Sequence, residues 1–300
     1  VVIPTRNRAD LLPRAIDSVL AQDVSPLEVV IVDDGSTDDT QAVLAAMTDP
    51  RIRALRQEHG GCSQARNLGA RSAKGAVVAF LDDDDVVDTT WLGALVRPFG
   101  EDPEIALVSC ASIHRRPDGT LLEVSPVRDL GPAFDHLRAK FDTGMYAVRQ
   151  DAFEIAGGFA DGLTSGEHTE LGLRLAEVLG ARGWRSAVVE EPLVTVYQRP
   201  SAARSANWPR HQYDSAMYFL DHHHERLARR PHLLADYLAI AGVAAARLGH
   251  FDRARKLLAQ AVRAEPRRLK HYGRWLLAVV PPLGRRVWRA DLWRELSSSS

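Results

Sequence analysis

The chain has 300 residues, 45% hydrophobic and 26% charged, with 21 Gly and 16 Pro. That balance supports a sizeable core, excludes a disordered, collagen-like or low-complexity chain, and at this length predicts about two domains. The net charge of −1 is unevenly spread: from His222 onward there are 16 Lys+Arg against 6 Asp+Glu, and the remainder carries 22 against 33.

In the first hundred residues, short apolar runs alternate with amphipathic stretches. Val1–Ile3, Val29–Val32, Ile52–Leu55 and Val77–Leu81 predict strands, with helices at about 9–21, 38–47, 62–73 and 89–99. This alternation predicts an α/β fold, a mostly parallel sheet with helices on both faces. Ligands of such sheets bind beyond the carboxyl ends of the strands, so polar residues directly after a strand are the candidates. From 105 to 197 the pattern is mixed. Strands are expected at Ile105–Ile113, Gly144–Val148, Ser186–Val189 and Leu193–Tyr197, and a helix at Thr169–Leu179. Arg199–Asn207 has few apolar residues and is expected to be a flexible loop. After Trp208 the pattern is helical, and Ser297–Ser300 is set aside as a tail. Within the helical part, Leu234–Pro266 has small residues, Leu-Gly, an aromatic and a closing Ala-x-x-x-x-Pro at tetratricopeptide-like spacing; an ordinary helical hairpin fits equally.

Three polar clusters follow strands: Pro4-Thr5-Arg6-Asn7, Asp33-Asp34-Gly35-Ser36-Thr37 and Asp82-Asp83-Asp84-Asp85. Adjacent parallel strands would bring all three to one edge. Asp38 and Asp39 fit an ordinary helix start, where the dipole favours acids. The Asp run is different, because four like charges at the end of a buried strand repel unless a cation or donor array compensates. Hard carboxylate oxygens suit Mg²⁺ or Mn²⁺, which a few carboxylates and substrate phosphates commonly hold together. Gly60-Gly61 fits a hinge before a helix. No Gly-x-Gly-x-x-Gly or Walker sequence is present, which argues against dinucleotide or P-loop chemistry.

The strings VVIPTRNRADLLPRAIDSVLAQ, VVIVDDGSTDDT and GGCSQARNLGARSAKGAVVAFLDDDD closely resemble the amino-terminal half of family-2 glycosyltransferases of the GT-A fold. GMYAVRQDAFEIAGGFADGLTSGEHTELGLRL resembles that family's acceptor-side segment, and the match covers roughly residues 1–200. The resemblance implies a GT-A domain over 1–207, with a nucleotide-binding half (1–100) and an acceptor-side half (101–207), followed by a helical region over 208–296. It implies that Pro4, Thr5, Arg6 and Asp34 hold the nucleotide base, a carboxylate being able to accept from a pyrimidine imide N–H. The Asp-x-Asp motif corresponds to Asp82 and Asp84, with Asp84 the direct ligand of Mn²⁺ or Mg²⁺ and Asp82 also nearer the ribose. Asp83 and Asp85 flank them. Arg66 falls where the family packs a basic residue near the nucleotide; an ion pair with the Asp cluster is the structural alternative.

The implied chemistry is an inverting transfer from a nucleotide-diphospho-sugar to an acceptor hydroxyl on a saccharide, a lipid-linked or a small molecule. The family's base segment reads Gly-Glu-Asp-x-x-Leu, whereas this chain has Gly166-Glu167-His168-Thr169-Glu170-Leu171. Three alternatives follow. His168 acts as base, Glu167 takes over one residue away, or the chain is a sugar-nucleotide-binding scaffold with little turnover. A sugar nucleotidyltransferase would need a Gly-rich opening with a basic residue, which Val2-Ile3-Pro4-Thr5-Arg6-Asn7 lacks. Without a Gln-x-x-Arg-Trp motif or a run of roughly 20 apolar residues, non-processive transfer is expected.

The basic carboxyl-terminal region interleaves Trp275, Trp288 and aliphatics over Lys270–Arg289, which suits either a peripheral anionic membrane or the chain's own acidic half. Nucleic acid is not expected, because no nucleic-acid fold signature accompanies the charge. His222-His223-His224 lacks zinc spacing and reads as surface. Cys62 and Cys110 are expected to be buried or half-buried, and two cysteines provide no disulfide framework. With no secretory leader ahead of the first strand, a cytoplasmic location is expected, peripheral at the inner membrane face if the basic helices bind lipid; a few residues preceding Val1 are expected to be missing.

Overall fold

The structure, a computed structural model, describes residues 1–163, 165–198 and 202–288. They fall into two compact units divided at residue 200, apart from the short stretch between Gly162 and Glu167, which groups with the second.

The first unit opens with β1 (Val2–Thr5), α1 (Leu12–Leu20), β2 (Val29–Asp34), α2 (Thr40–Ala45), β3 (Ile52–Gln57), α3 (Cys62–Ser72) and β4 (Val77–Ala79). β1, β2 and β3 pair in parallel, with Thr5 level with Asp33. A parallel bridge from Val2 to Phe80 continues this sheet toward β4, so the ends of β1, β2 and β4 share one edge. The chain continues through β5 (Val86–Val87), α4 (Trp91–Glu101), β6 (Ile105–Arg115), β7 (Leu121–Ser125), β8 (Arg128–Asp129), a 3₁₀ turn (Pro132–Phe134), β9 (Arg138–Ala139), β10 (Tyr146–Arg149), α5 (Gln150–Ile155), α6 (Glu167–Arg182) and β11 (Arg185–Tyr197). β4, β5, β6, β10 and β11 form a mixed sheet in the order β4-β10-β6-β11-β5, with β7 beside β6, and β8 pairs separately with β9. β6 and β11 are parallel, whereas β10 runs against both β4 and β6. The two expected strands at 186–197 are one strand whose register shifts between Val189 and Val194.

The continuous apolar runs arise because both sheet faces are covered. Ile3, Ile31 and Leu81 enter one core cluster with Trp91, while Val2, Val30, Val32 and Phe80 enter the other with Tyr146 and Phe159. α3 lies close on the second face. A Cβ built on its Gly69 would meet Val2 Cγ1 at 2.4 Å and Val32 Cγ2 at 3.2 Å.

The second unit holds α7 (Ala202–His222), α8 (His224–Ala228), α9 (Pro231–Arg247), α10 (Phe251–Ala264), α11 (Leu269–Val279) and α12 (Pro281–Val287). The flexible loop expected at 199–207 is therefore corrected from Ala202 onward, where the chain is helical; Arg199, Pro200 and Ser201 lie outside the described residues. Alanine and arginine are good helix formers even where no apolar stripe advertises a helix. The repeat-like segment forms the α9–α10 hairpin, closely packed because Ala235, Ala239, Ala245, Ala254 and Ala261 fill its core with Leu258. Arg289 and the tail at 297–300 lie outside the described residues. Among the described residues, no helix is long and apolar enough to cross a membrane.

Because α3 carries Arg66, its distance from the sheet sets the site. Gly69→Ala is expected to destabilise the first unit by about 1–3 kcal/mol through overpacking, read as a lowered urea midpoint; an unchanged midpoint would mean that α3 has room to move.

Candidate active site

The loops after β1 and β2 interlock at one sheet edge. The Asn7 backbone N–H donates to Ser36 Oγ (2.9 Å), and Thr37 N–H donates back to Asn7 Oδ1 (2.7 Å). Pro4 and Thr5 are buried and Arg6 is exposed. Asp33 is an internal anchor, accepting from Ser36 N–H at 2.8 Å. Asp34 accepts four donors: Gln57 Nε2 (2.8 Å), Gly60 N–H (2.8 Å), His59 Nδ1 (2.8 Å) and Gly61 N–H (3.0 Å). Burial alone would raise the Asp34 pKa; these donors outweigh it and hold the carboxyl below its usual range. The exposed His59 also meets Arg6 Nη1 through Nε2 at 3.0 Å. Arginine only donates, so Nε2 accepts and Nδ1 carries the hydrogen given to Asp34.

The third cluster follows β4. A turn closed by Asp85 N–H to Asp82 C=O (3.3 Å) folds the four aspartates together. Asp82, Asp84 and Asp85 each offer a carboxylate oxygen within 4.8 Å of the others, which fits a small divalent cation held by hard oxygen ligands. Asp83 and Asp85 turn inward while Asp82 and Asp84 are half-buried. Burial raises Asp83 to about 7, with the charges of Asp82 and Asp84 adding and the Thr5 hydroxyl opposing. Burial, then Asp82 and Asp84, raise Asp85 to about 8. Arg14 Nη2 donates to the Asp84 carbonyl at 2.9 Å, and Arg8 stands 4.0 Å from its carboxylate.

Arg66 joins this tip to α6. Its side chain is buried, with Nη2 on Asp82 Oδ1 (2.8 Å) and Thr143 Oγ1 (3.2 Å) and Nη1 on Glu167 Oε1 (3.0 Å). Burial opposes its charge, yet the carboxylates of Asp82 and Glu167 hold its pKa above the usual arginine value. His168 is buried beside it, Nε2 lying 2.9 Å from Thr143 Oγ1 and Nδ1 3.0 Å from Tyr146 Oη. The rings of Tyr146 and Phe159 pack edge-on against the imidazole. Burial, then the Arg66 charge, push the His168 pKa well below its usual value.

The sequence-derived candidates thus sit at the ends of β1 and β2 (Pro4, Thr5, Asp34), on the loops after β1 and β4 (Arg6, Asp82, Asp83, Asp84), within α3 (Arg66) and at the start of α6 (Glu167, His168). The sequence reading missed three participants. Asp85 was taken only as a flank of Asp82 and Asp84, and His59 was not singled out. Asp142 was missed because it precedes β10 rather than following a strand. β10 is antiparallel to β4, so it starts where β4 ends, and Gly144 N–H donates to Phe80 C=O at 2.6 Å. Burial raises the Asp142 pKa, opposed by the Thr143 N–H and assisted by the Asp82 and Glu167 charges. Cys62 is exposed at the start of α3, correcting the expectation of burial, while Cys110 is buried.

The sequence model of glycosyl transferase family 2 matches residues 1–154. The chain belongs to glycosyl transferase family 2. It is 31% identical over 185 residues to a chondroitin synthase of Pasteurella multocida, a match covering 59% of this chain and 19% of that protein. The chain therefore spans about a fifth of that relative's length. Among solved structures, Staphylococcus aureus TarS (residues 1–349, in complex with UDP-GlcNAc) superposes with a TM-score of 0.63 at 17% identity, covering 99% of this chain and 90% of that one. A mannosyltransferase of Pyrobaculum calidifontis, in complex with GDP-Man and Mn²⁺, gives a TM-score of 0.54 at 20% identity, covering 99% and 83%. The GT-A fold implied by the sequence resemblance is present, with a helical region after it.

The raised pKa values of Asp83 and Asp85 carry a stability consequence. A carboxyl that binds its proton more tightly when folded loses stability as pH rises from the unfolded carboxyl range through the folded pKa. The metal-free protein is expected to melt at progressively lower temperature between pH 5 and about 8, with Mn²⁺ raising the midpoint more at pH 8 than at pH 5. Differential scanning fluorimetry across that range checks this; a Mn²⁺ effect independent of pH would contradict it.

Proposed function

We propose that this chain transfers a sugar from a nucleotide-diphospho-sugar to an acceptor hydroxyl, with inversion at the anomeric carbon and with the help of a divalent cation. The observation that carries the reading is the group formed by Asp82, Asp84 and Asp85 at the sheet edge, tied through Arg66 to Glu167. UDP-GlcNAc and GDP-Man with Mn²⁺ in the two solved structures support the donor class and the metal.

In this reading the base lies against Pro4, Thr5 and Arg6, and Asp34 exchanges the exposed His59 donor for the imide N–H of the base. Asp83, turned in against Thr5, joins that strand end to the acidic tip. Asp82 and Asp84 would hold Mn²⁺ or Mg²⁺, with Asp85 completing the carboxylate group, and Asp82 would also be the carboxylate nearer the ribose. Arg66 keeps Asp82 in place. When bound, the cation neutralises charge growing on the diphosphate leaving group. The acceptor oxygen attacks the anomeric carbon from the face opposite the diphosphate, the carbon–oxygen bond to the diphosphate breaks, and a carboxylate of the edge receives the hydroxyl proton.

The acceptor class remains a saccharide, a lipid-linked or a small molecule, and transfer is non-processive. The scaffold alternative rested on the missing carboxylate at position 168, and Glu167 keeps one beside Arg66. Asp84→Asn is expected to weaken metal-dependent donor binding by about 10–100-fold, the worth of a charge-assisted contact. Calorimetry with Mn²⁺ and a panel of UDP- and GDP-sugars checks it, and unchanged, metal-independent binding in the variant would refute the metal assignment.

The reading extends to a peripheral position at an anionic lipid surface. Leu269, Tyr272, Leu276 and Val279 are exposed at helical spacing along α11, and Val280 and Leu283 continue the apolar patch into α12. Exposed Arg285 and Arg286 lie beside it, and no acidic residue occurs between Pro266 and Trp288. Reversing both charges (Arg285→Glu with Arg286→Glu) should weaken binding to phosphatidylglycerol vesicles by roughly tenfold or more, at about 1 kcal/mol per arginine. Co-sedimentation tests this. Equal binding to neutral phosphatidylcholine vesicles would contradict it.

A further inference from the structure

We propose that Glu167, and not His168, receives the acceptor's hydroxyl proton, and that His168 is a buried clasp that positions Thr143 and, through it, Arg66. This inference rests on the transfer reading above and assigns the proton-accepting carboxylate within it.

A general base needs a free lone pair, access to the acceptor, and an environment that tolerates the protonated form. His168 meets none of the three. A neutral imidazole has one lone pair, and both ring nitrogens lie within hydrogen-bond distance of hydroxyls, Nε2 at Thr143 and Nδ1 at Tyr146. The lone pair is engaged in either tautomer. The ring is 6% exposed and is enclosed by Tyr146 and Phe159. Its protonated form would place a second buried cation close to Arg66, which opposes that charge. The same contacts make it an effective clasp. Thr143 Oγ1 meets both His168 Nε2 and Arg66 Nη2, so the imidazole helps fix the guanidinium that grips Asp82.

Glu167 has the complementary properties. It begins α6, a helix of 16 residues, and its protonated form is neutral, so taking up a proton adds no buried cation beside Arg66. Its side chain is partly exposed, and its Oε1 accepts from Arg66 Nη1, which fixes the carboxylate without occupying both oxygens. One guanidinium therefore separates Glu167 from Asp82, so the base stands beside the acidic tip without touching it. In the step itself, the acceptor oxygen forms its bond to the anomeric carbon as the carbon–oxygen bond to the diphosphate breaks. The hydroxyl proton passes to Glu167 Oε2, and the nucleoside diphosphate leaves with the electron pair.

The test measures release of nucleoside diphosphate from UDP-GlcNAc, UDP-glucose and GDP-mannose with Mn²⁺, water serving as acceptor, alongside donor affinity by calorimetry. Glu167→Gln keeps an oxygen for Arg66 and is expected to lower kcat about 10²–10⁴-fold, the worth of a positioned base, with donor Kd within twofold. Formate should restore part of the rate to Glu167→Ala. His168→Leu should lower kcat less than tenfold with donor Kd within twofold, and His168→Gln, which can bond both hydroxyls, should recover most of that loss. Full activity in Glu167→Gln would overturn the assignment. So would a loss in His168→Gln as deep as that in Glu167→Gln, or loss of turnover in Asp142→Asn alone. Wild type that binds these donors yet releases no nucleotide would instead sink the transfer reading, and the inference with it.

Discussion

A single buried guanidinium holds the site together. Arg66 bonds Asp82 on the loop after β4, Thr143 ahead of β10 and Glu167 at the start of α6. Three segments far apart in sequence thus share one charge that has almost no solvent around it. Burying that charge is tolerable because two carboxylates face it, and leaving either unmatched would be strongly unfavourable. Arg66 is carried by α3, which lies close to the sheet at Gly69.

The acidic residues of the edge divide by how fully protein donors satisfy them. Asp33 and Asp34 are anchored, and Asp34 is held ionised by two backbone and two side-chain donors. The tip is under-compensated. Arg66 and Arg8 face four aspartates, and burial, with the charges of Asp82 and Asp84, makes Asp83 and Asp85 keep their protons more tightly. The proposed transfer, with a neutral base at one end of the edge and a diphosphate with its cation at the other, calls for this division. The first end requires a rigid hydrogen-bonding wall, and the second requires unspent negative charge.

Much of this was legible in the sequence because local pattern governs it. Val2 and Ile3 alternate into opposite cores, so β1 reads as a buried strand, and the strand-end rule then selects Thr5, Asp34 and Asp82. Long-range geometry was not legible. β10 is antiparallel, so Asp142 reaches the edge by preceding a strand, where a rule built for parallel strands does not look. His168 read as a candidate base because it stands where the family's segment has its Asp, while its enclosure comes from Tyr146 and Phe159, residues supplied by other segments. The stretch from Ala202 onward read as loop because its helix begins without an apolar stripe. Asp85 read as a mere flank because a turn, closed by its own N–H, carries it back beside Asp82.

Where a cation and a diphosphate settle on the edge decides whether the acidic tip is a metal site. Crystals soaked with Mn²⁺ and UDP or GDP, measured at the manganese absorption edge, test it most directly. The expected result is one strong anomalous peak bounded by Asp82 and Asp84, next to the diphosphate, with Arg66 still bridging Asp82 and Glu167. A peak elsewhere, or a nucleotide bound with no peak at the aspartates, would contradict it.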